Sequence, residues 1–185
     1  TGEDTLSLHD ALPISVASAG GDVSIAQLIA TGPVVVAFHR LWCPFCQQAA
    51  RDLEQVGDDL AAVGARAVIV YRDDVDTVST SCAERGLAVD CVSDPRQELE
   101  RATEVERFSV GRYAMFSPMR LIRVLRSGSR AGKVTSDILQ GRGTFVVGRD
   151  GRIAYAHHAV TAADIPPIGD IVAAVRAVAV GSRSQ

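Results

Sequence analysis

The sequence predicts an α/β domain, a central mixed sheet flanked by helices, on three observations. Val34–Phe38 (VVVAF) and Ala65–Tyr71 (ARAVIVY) are unbroken apolar runs rich in β-branched residues, the pattern of strands buried on both faces. Pro44 to about Val63, between them, carries helix formers with Ala49, Leu53, Val56, Leu60 and Val63 on one apolar stripe. Strand, helix, strand with a crossover of this length makes the two strands parallel. Near the C-terminus, Gly143–Gly148 and Arg152–His157 flank an R-D-G turn and read as an antiparallel hairpin.

Composition bounds the answer. The chain has 185 residues, 47% hydrophobic and 22% charged, which suits a single folded domain and excludes a disordered one. A net charge of -3 supplies no basic face for nucleic acid. No apolar run approaches the ~20 residues that span a bilayer, so no membrane association is expected. Four cysteines, two of them in one C-x-x-C, fit reduced intracellular thiols better than a secreted disulfide framework, and the expected compartment is cytoplasmic.

Taken in order, residues 1–21 show no sustained periodicity and no basic start followed by an apolar core. Leu6–Ser15 (LSLHDALPIS) resembles a translated adapter read-through, so 1–21 is set apart as a leader of doubtful origin, expected to be disordered, and His9 is discounted. The domain is expected over 22–180, with 181–185 as a tail. Ser24 is the N-cap of a short helix through Ile29, stopped by Gly32-Pro33. The helix that opens at Pro44 stops at Gly64. Asp73–Arg85 is the next helix, led by the acids Asp73, Asp74 and Asp76, which suit its positive end, and closed by Gly86. Leu87–Val92 is a short third strand. Cys82 in that helix and Cys91 in that strand are expected as free, buried packing residues. Ser93-Asp94-Pro95 is a turn that starts a helix from Arg96 to about Phe108. Ser109–Arg130 is a helical insertion, with Met119, Leu121, Ile122, Val124 and Leu125 fitting one helix and arginines on a solvated face. His157 and His158 close the second hairpin strand and face opposite ways, as surface residues. Ala162–Pro167 caps a final helix over Ile168–Val180.

The chemistry-bearing stretch is Trp42-Cys43-Pro44-Phe45-Cys46, at the end of the first long strand. A cysteine in the first turn of a helix faces unpaired N–H groups and the positive end of the dipole, which favour thiolate. Cys43 is therefore the expected reactive sulfur. Pro44 suits the first helical position, where its missing N–H costs nothing. Cys46, three residues on, shares that face, so the pair can form and break a disulfide and carry two electrons with no metal or cofactor. Three other readings stay open: half of a zinc site, a structural disulfide, and chance placement of two core cysteines. Zinc would want a second close pair, and Cys82 and Cys91 stand nine apart.

Collected in order, the elements follow the thioredoxin fold with a helical insertion before the last hairpin. With FHRLWCPFC (Phe38–Cys46), VSDP (Val92–Pro95), RGTFVVGRDGRI (Arg142–Ile153) and DIPP (Asp164–Pro167), the chain resembles the AhpC/TSA peroxiredoxins, in particular the branch that carries C-P-x-C. The resemblance covers roughly Val23 to Val178. It implies that Cys43 is the peroxidatic cysteine and that Arg142, in R-G-x-F, holds it as thiolate and polarises the peroxide. Trp42, Pro44 and Thr144 are expected in support. It also implies a thiol-dependent antioxidant oxidoreductase in which Cys43 becomes a sulfenic acid, Cys46 condenses with it, and an external dithiol such as a thioredoxin-like protein reduces the disulfide. A homodimer fits the resemblance. One departure stands out: peroxiredoxins usually carry Thr or Ser three residues before the cysteine, and here the position is Arg40, which can lower a thiol pKa but accepts no hydrogen bond. The alternatives are a protein disulfide or quinone reductase using the same cysteines, and a redox-sensing or zinc-holding module with no catalysis.

Overall fold

A computed structural model describes residues 14–105, 118–126, 128–129 and 140–181. Among them the chain forms a mixed seven-stranded sheet with helices on both faces, in the order β2-β1-β5-β4-β3-β6-β7. The strands are β1 (Ser15–Ser18), β2 (Gly21–Ser24), β3 (Val34–Phe38), β4 (Arg66–Tyr71), β5 (Asp90–Ser93), β6 (Gly143–Val147) and β7 (Ile153–His158). The predicted parallel pair is β3 with β4, in register from Val34↔Arg66 to Phe38↔Val70, and β5 continues parallel to β4. β6 returns antiparallel to β3, and β7 completes the hairpin against β6.

Why the central runs are apolar throughout is visible in the packing. Val34, Val36 and Phe38 face one core with Val68, Val70, Phe145 and Val147, while Val35 and Ala37 face the other with Ile69, Tyr71 and Val146. Successive strand residues point to opposite faces, so a sheet covered on both sides wants no polar alternation. Helix α1 (Ile25–Ala30) lies under the first core; Ser24 caps it as predicted, and with Gln27 it forms a reciprocal capping box. Gly32 passes so close to the next turn that a Cβ there would run into the Gly64 carbonyl.

Several expectations are corrected. The segment 1–21 was set apart from the fold, yet Ser15–Ser18 pairs with Gly21–Ser24 as a hairpin and adds antiparallel to β5 through Ala17↔Ser93 and Ser18↔Val92. Strands of four residues give too short a pattern for periodicity to reveal. Thr1–Pro13, including His9, lie outside the described residues. The helix expected from Pro44 to Val63 is two: α2 (Pro44–Gln55) and α3 (Gly57–Ala62), broken where Gly57 weakens the run. Leu53 and Leu60 nevertheless enter the same core, so the apolar stripe survives the break.

Helix α4 (Val75–Glu84) starts at Asp74, whose carboxylate accepts from the Thr77 N–H. Strand β5 begins later than predicted because the Ala88 and Val89 N–H groups donate to the Glu54 carboxylate, at 2.8 and 3.0 Å, instead of to a strand. α5 (Glu98–Ala102) is shorter than the expected 96–108 helix. Asp94 starts it, accepting from the N–H groups of Glu98, Leu99 and Glu100, and the chain leaves it through Glu104 at φ 52°. In the insertion, α6 (Pro118–Arg126) is helical as predicted and exposes Met119, Ile122 and Leu125. The side chains of Leu121 and Val124, and residues 106–117, lie outside the described part. α7 (Ile168–Gly181) packs Ile171 and Val175 into the second core.

Cys82 and Cys91, read as free packing residues, are joined by a disulfide between α4 and β5. The turn at Gly86, φ 64°, folds the chain back so that helix and strand bring the two sulfurs together, a proximity that spacing alone does not encode.

Candidate active site

β3 ends at Phe38 and the next residues stay locked to the sheet, with the His39 N–H donating to the Val70 carbonyl at 3.0 Å. The loop that follows is pinned at the Leu41 carbonyl, which accepts from Gln47 Nε2 at 3.0 Å and from Arg85 Nη2 at 2.8 Å. Cys43 is the N-cap of α2, Pro44 sits in its first turn, and the Cys43 carbonyl accepts the Gln47 N–H at 3.1 Å. This is the predicted strand, turn and helix start. Both sulfurs are free and enclosed, Cys43 3% and Cys46 1% exposed, in a small cluster with Trp42, Phe45, Ala163 and Ile165.

Arg142 reaches the pair from just before β6. Its Nη1 donates to Cys46 Sγ at 3.3 Å, while Nη2 donates to the carbonyls of Ala162 at 2.7 Å and Asp164 at 2.8 Å. These carbonyls belong to the segment that leads through Asp164-Ile165-Pro166-Pro167 into α7. They orient the guanidinium but carry no net charge. A buried cation needs an anionic partner, and the group placed against this one is a thiol that can ionise.

The electrostatics follow that contact. Burial opposes a charge on Cys46, but the hydrogen bond from Cys43 and the Arg142 charge outweigh it and hold its pKa well below the ordinary thiol value, with a smaller contribution from Arg40. The hydrogen bond shared with Cys46 and burial push Cys43 well above it. His39 is driven down to about 4 by burial, so at neutral pH it adds no charge and the arginines carry the effect. The two sulfurs share a hydrogen bond beside a buried cation, an arrangement that favours one negative charge on the pair.

Arg142 was expected at Cys43, and the sulfur its guanidinium donates to is that of Cys46. The predicted effect of the helix start exists, since the Cys46 backbone N–H does act to lower Cys43, but the shared hydrogen bond and burial exceed it. A three-residue step carries Cys46 one turn deeper, where the guanidinium lies. Arg40 is 1% exposed, with its guanidinium carbon 5.5 Å from the centre of the Trp42 ring, a cation–π distance. Thr144 is buried on β6, opposite Ala37, and lines a narrow cavity with His39, Asp52 and Ile165.

His39 is the site residue that sequence reasoning missed. The available signal was a histidine at the end of an otherwise apolar strand, four residues before a C-x-x-C. The hairpin histidines lie on opposite faces of β7 as predicted, but only His158, edge-on to Phe145, is exposed; His157, expected at the surface, is half-buried with its Nε2 3.3 Å from Asp164 Oδ1.

Comparison with known proteins adds the following. The AhpC/TSA family model matches residues 9–156. The chain is similar in structure to Xanthomonas campestris peroxiredoxin Q, at 21% identity and TM-score 0.67, covering 91% of this chain and 93% of that one. It is similar to the bacterioferritin comigratory protein of the same organism, studied for alkyl peroxide reduction, at 20% identity and TM-score 0.67, covering 91% and 94%. The peroxidoxin BcpB from Mycobacterium tuberculosis is a further match, at 19% identity and TM-score 0.66, covering 89% and 92%. These likenesses establish the thioredoxin-like fold. No curated protein matches the sequence.

Proposed function

Because the chain belongs to the AhpC/TSA family, we propose that it is a thiol-dependent peroxidase, reducing hydroperoxides through Cys43 and Cys46. The observation that carries this reading is the buried Arg142 guanidinium donating to the sulfur pair. A neighbouring cation keeps one sulfur anionic at neutral pH, and the thiolate is the form that attacks a peroxide oxygen. In this reaction a thiolate takes the terminal oxygen of ROOH, the O–O bond breaks, and RO⁻ leaves as ROH after accepting a proton. The resulting sulfenic acid is attacked by the other sulfur, which forms the disulfide and expels water. An external dithiol returns the pair to two thiols. The sulfurs sit one helical turn apart, so the first turn of α2 must loosen for the bond to form.

The family motif gives the attack to Cys43, the cysteine directly before Pro44. The Arg142 contact favours a second assignment, in which Cys46 attacks and the hydrogen-bonded Cys43 supplies the proton to the leaving alkoxide. Trapping the sulfenic acid with a dimedone-type reagent in Cys43→Ser and Cys46→Ser separates the two, because only the variant that keeps the attacking sulfur is labelled. Either substitution should abolish dithiol-dependent peroxide turnover. Full turnover in both would end the proposal.

A protein disulfide or quinone acceptor would engage the same pair, and disulfide reduction assayed against peroxide consumption on one preparation distinguishes these substrates. Holding zinc would need donors beyond the pair, and no group of three or more metal-binding side chains occurs among the described residues. The partners in this reading are a hydroperoxide and an external dithiol protein in the cytoplasm, with a homodimer as the assembly to test. No described helix is long and apolar enough to cross a membrane.

A further inference from the structure

We propose that Cys82–Cys91 is a second thiol–disulfide exchange site, open to a small external dithiol, and that its redox state is transmitted to the Cys43 loop through Arg85. Three observations converge on it. The bond closes a loop of sequence separation 9, so it restrains the unfolded chain less than a long-range crosslink would. The two residues differ in access: Cys82 is buried, whereas Cys91 is only partly covered. Both line a cleft of about 460 Å³ between the β1–β2 hairpin and α4, where Val23, Ser79 and Leu87 also contribute. That is the size of a small-molecule site. Arg66 and Asp90, 3.5 Å apart and about half exposed, stand in its lining and offer both signs of charge to a polar thiol.

The link to the active site runs through the end of α4. The Cys82 carbonyl accepts the N–H groups of Arg85 and Leu87, at 3.2 and 3.1 Å, so the disulfide fixes the turn from which Arg85 projects. Arg85 in turn bonds the Tyr71 side chain and the carbonyl of Leu41, two residues before Cys43.

In the exchange, a thiolate of the dithiol attacks Cys91 Sγ. The Cys82–Cys91 bond breaks, and Cys82 leaves as thiolate and takes a proton. The second thiol of the carrier then attacks the carrier sulfur of the mixed disulfide, releasing Cys91. The carrier ends as a disulfide and the protein gains two electrons and two protons. The carrier's disulfide form reverses the reaction.

The test needs no peroxide, so its failure is distinct from failure of the peroxidase reading. The full chain is equilibrated without denaturant in mixtures of reduced and oxidised dithiothreitol, quenched in acid, alkylated and mapped by peptide mass. We expect Cys82–Cys91 to open and close reversibly with the ratio, and a monothiol to be captured on Cys91. A bond that yields only after unfolding would overturn the site. Loss of one hydrogen bond at Leu41 should change the iodoacetamide rate of the Cys43–Cys46 pair by about fivefold between the two states. An equal rate in both states would overturn the transmission. Cys82→Ser/Cys91→Ser should show the rate of the reduced wild type, and in Arg85→Ala the two states should react alike. If the double variant does not fold, the wild-type comparison decides.

Discussion

Arg142 shows how much a single buried cation can do. Three-way bonding to carbonyls and sulfur leaves it no freedom to turn toward solvent, so its charge is spent on the thiol pair. Arg142→Met should return the acidic thiol toward an ordinary value, remove the ultraviolet thiolate absorbance at pH 7, and slow oxidation by peroxide about 10- to 100-fold. Arg142→Lys should keep part of the charge effect but lose the forked grip on Ala162 and Asp164. His39 makes a separate prediction. Its folded pKa, about 4, lies below the 6.5 of a free histidine, so as pH falls the unfolded chain protonates first. The resulting stability is fully present above pH 6.5 and is lost as pH drops toward 4, a swing on the order of 3 kcal/mol. Urea midpoints at neutral and acid pH should show it in the wild type, and His39→Gln should flatten it.

At the scale of elements, a buried ion pair ties β4's exit to α5. Arg72 and Glu100 make a forked contact, at 2.7 and 2.5 Å, with side chains only 13% and 5% exposed, and Gln140 donates to the same carboxylate. Arg72→Ala strands an anion away from water and should cost about 3–5 kcal/mol in denaturant unfolding. Arg72→Met with Glu100→Met should recover most of it, since a matched apolar pair leaves no charge behind. The same scale shows what could be read in advance. β3, β4, α4 and the β6–β7 hairpin were legible because each is set by its own residues: apolar runs, an Asp74 cap, an R-D-G turn. β5 was misplaced because its start is set by a group far away in sequence, the Glu54 carboxylate, and α5 because its end is set by a left-handed residue, Glu104, that is not a glycine. The active-site pair was legible as a pair. Which sulfur the cation meets was not, since that guanidinium lies 96 residues away in sequence.

For the molecule as a whole, the order of strands explains what the N-terminal hairpin is for. β5 would otherwise be the outermost strand on its side of the sheet, with its N–H and C=O groups turned outward, and β1 occupies that position instead. A chain shortened to begin at Val23 would lose this cover and present β5 to any other extended segment. Such a chain should scatter light on warming at concentrations where the full chain stays clear, while its Cys43–Cys46 pair still reacts. Residues remote from the Cys43–Cys46 pair would then be keeping copies of the protein from sticking to one another.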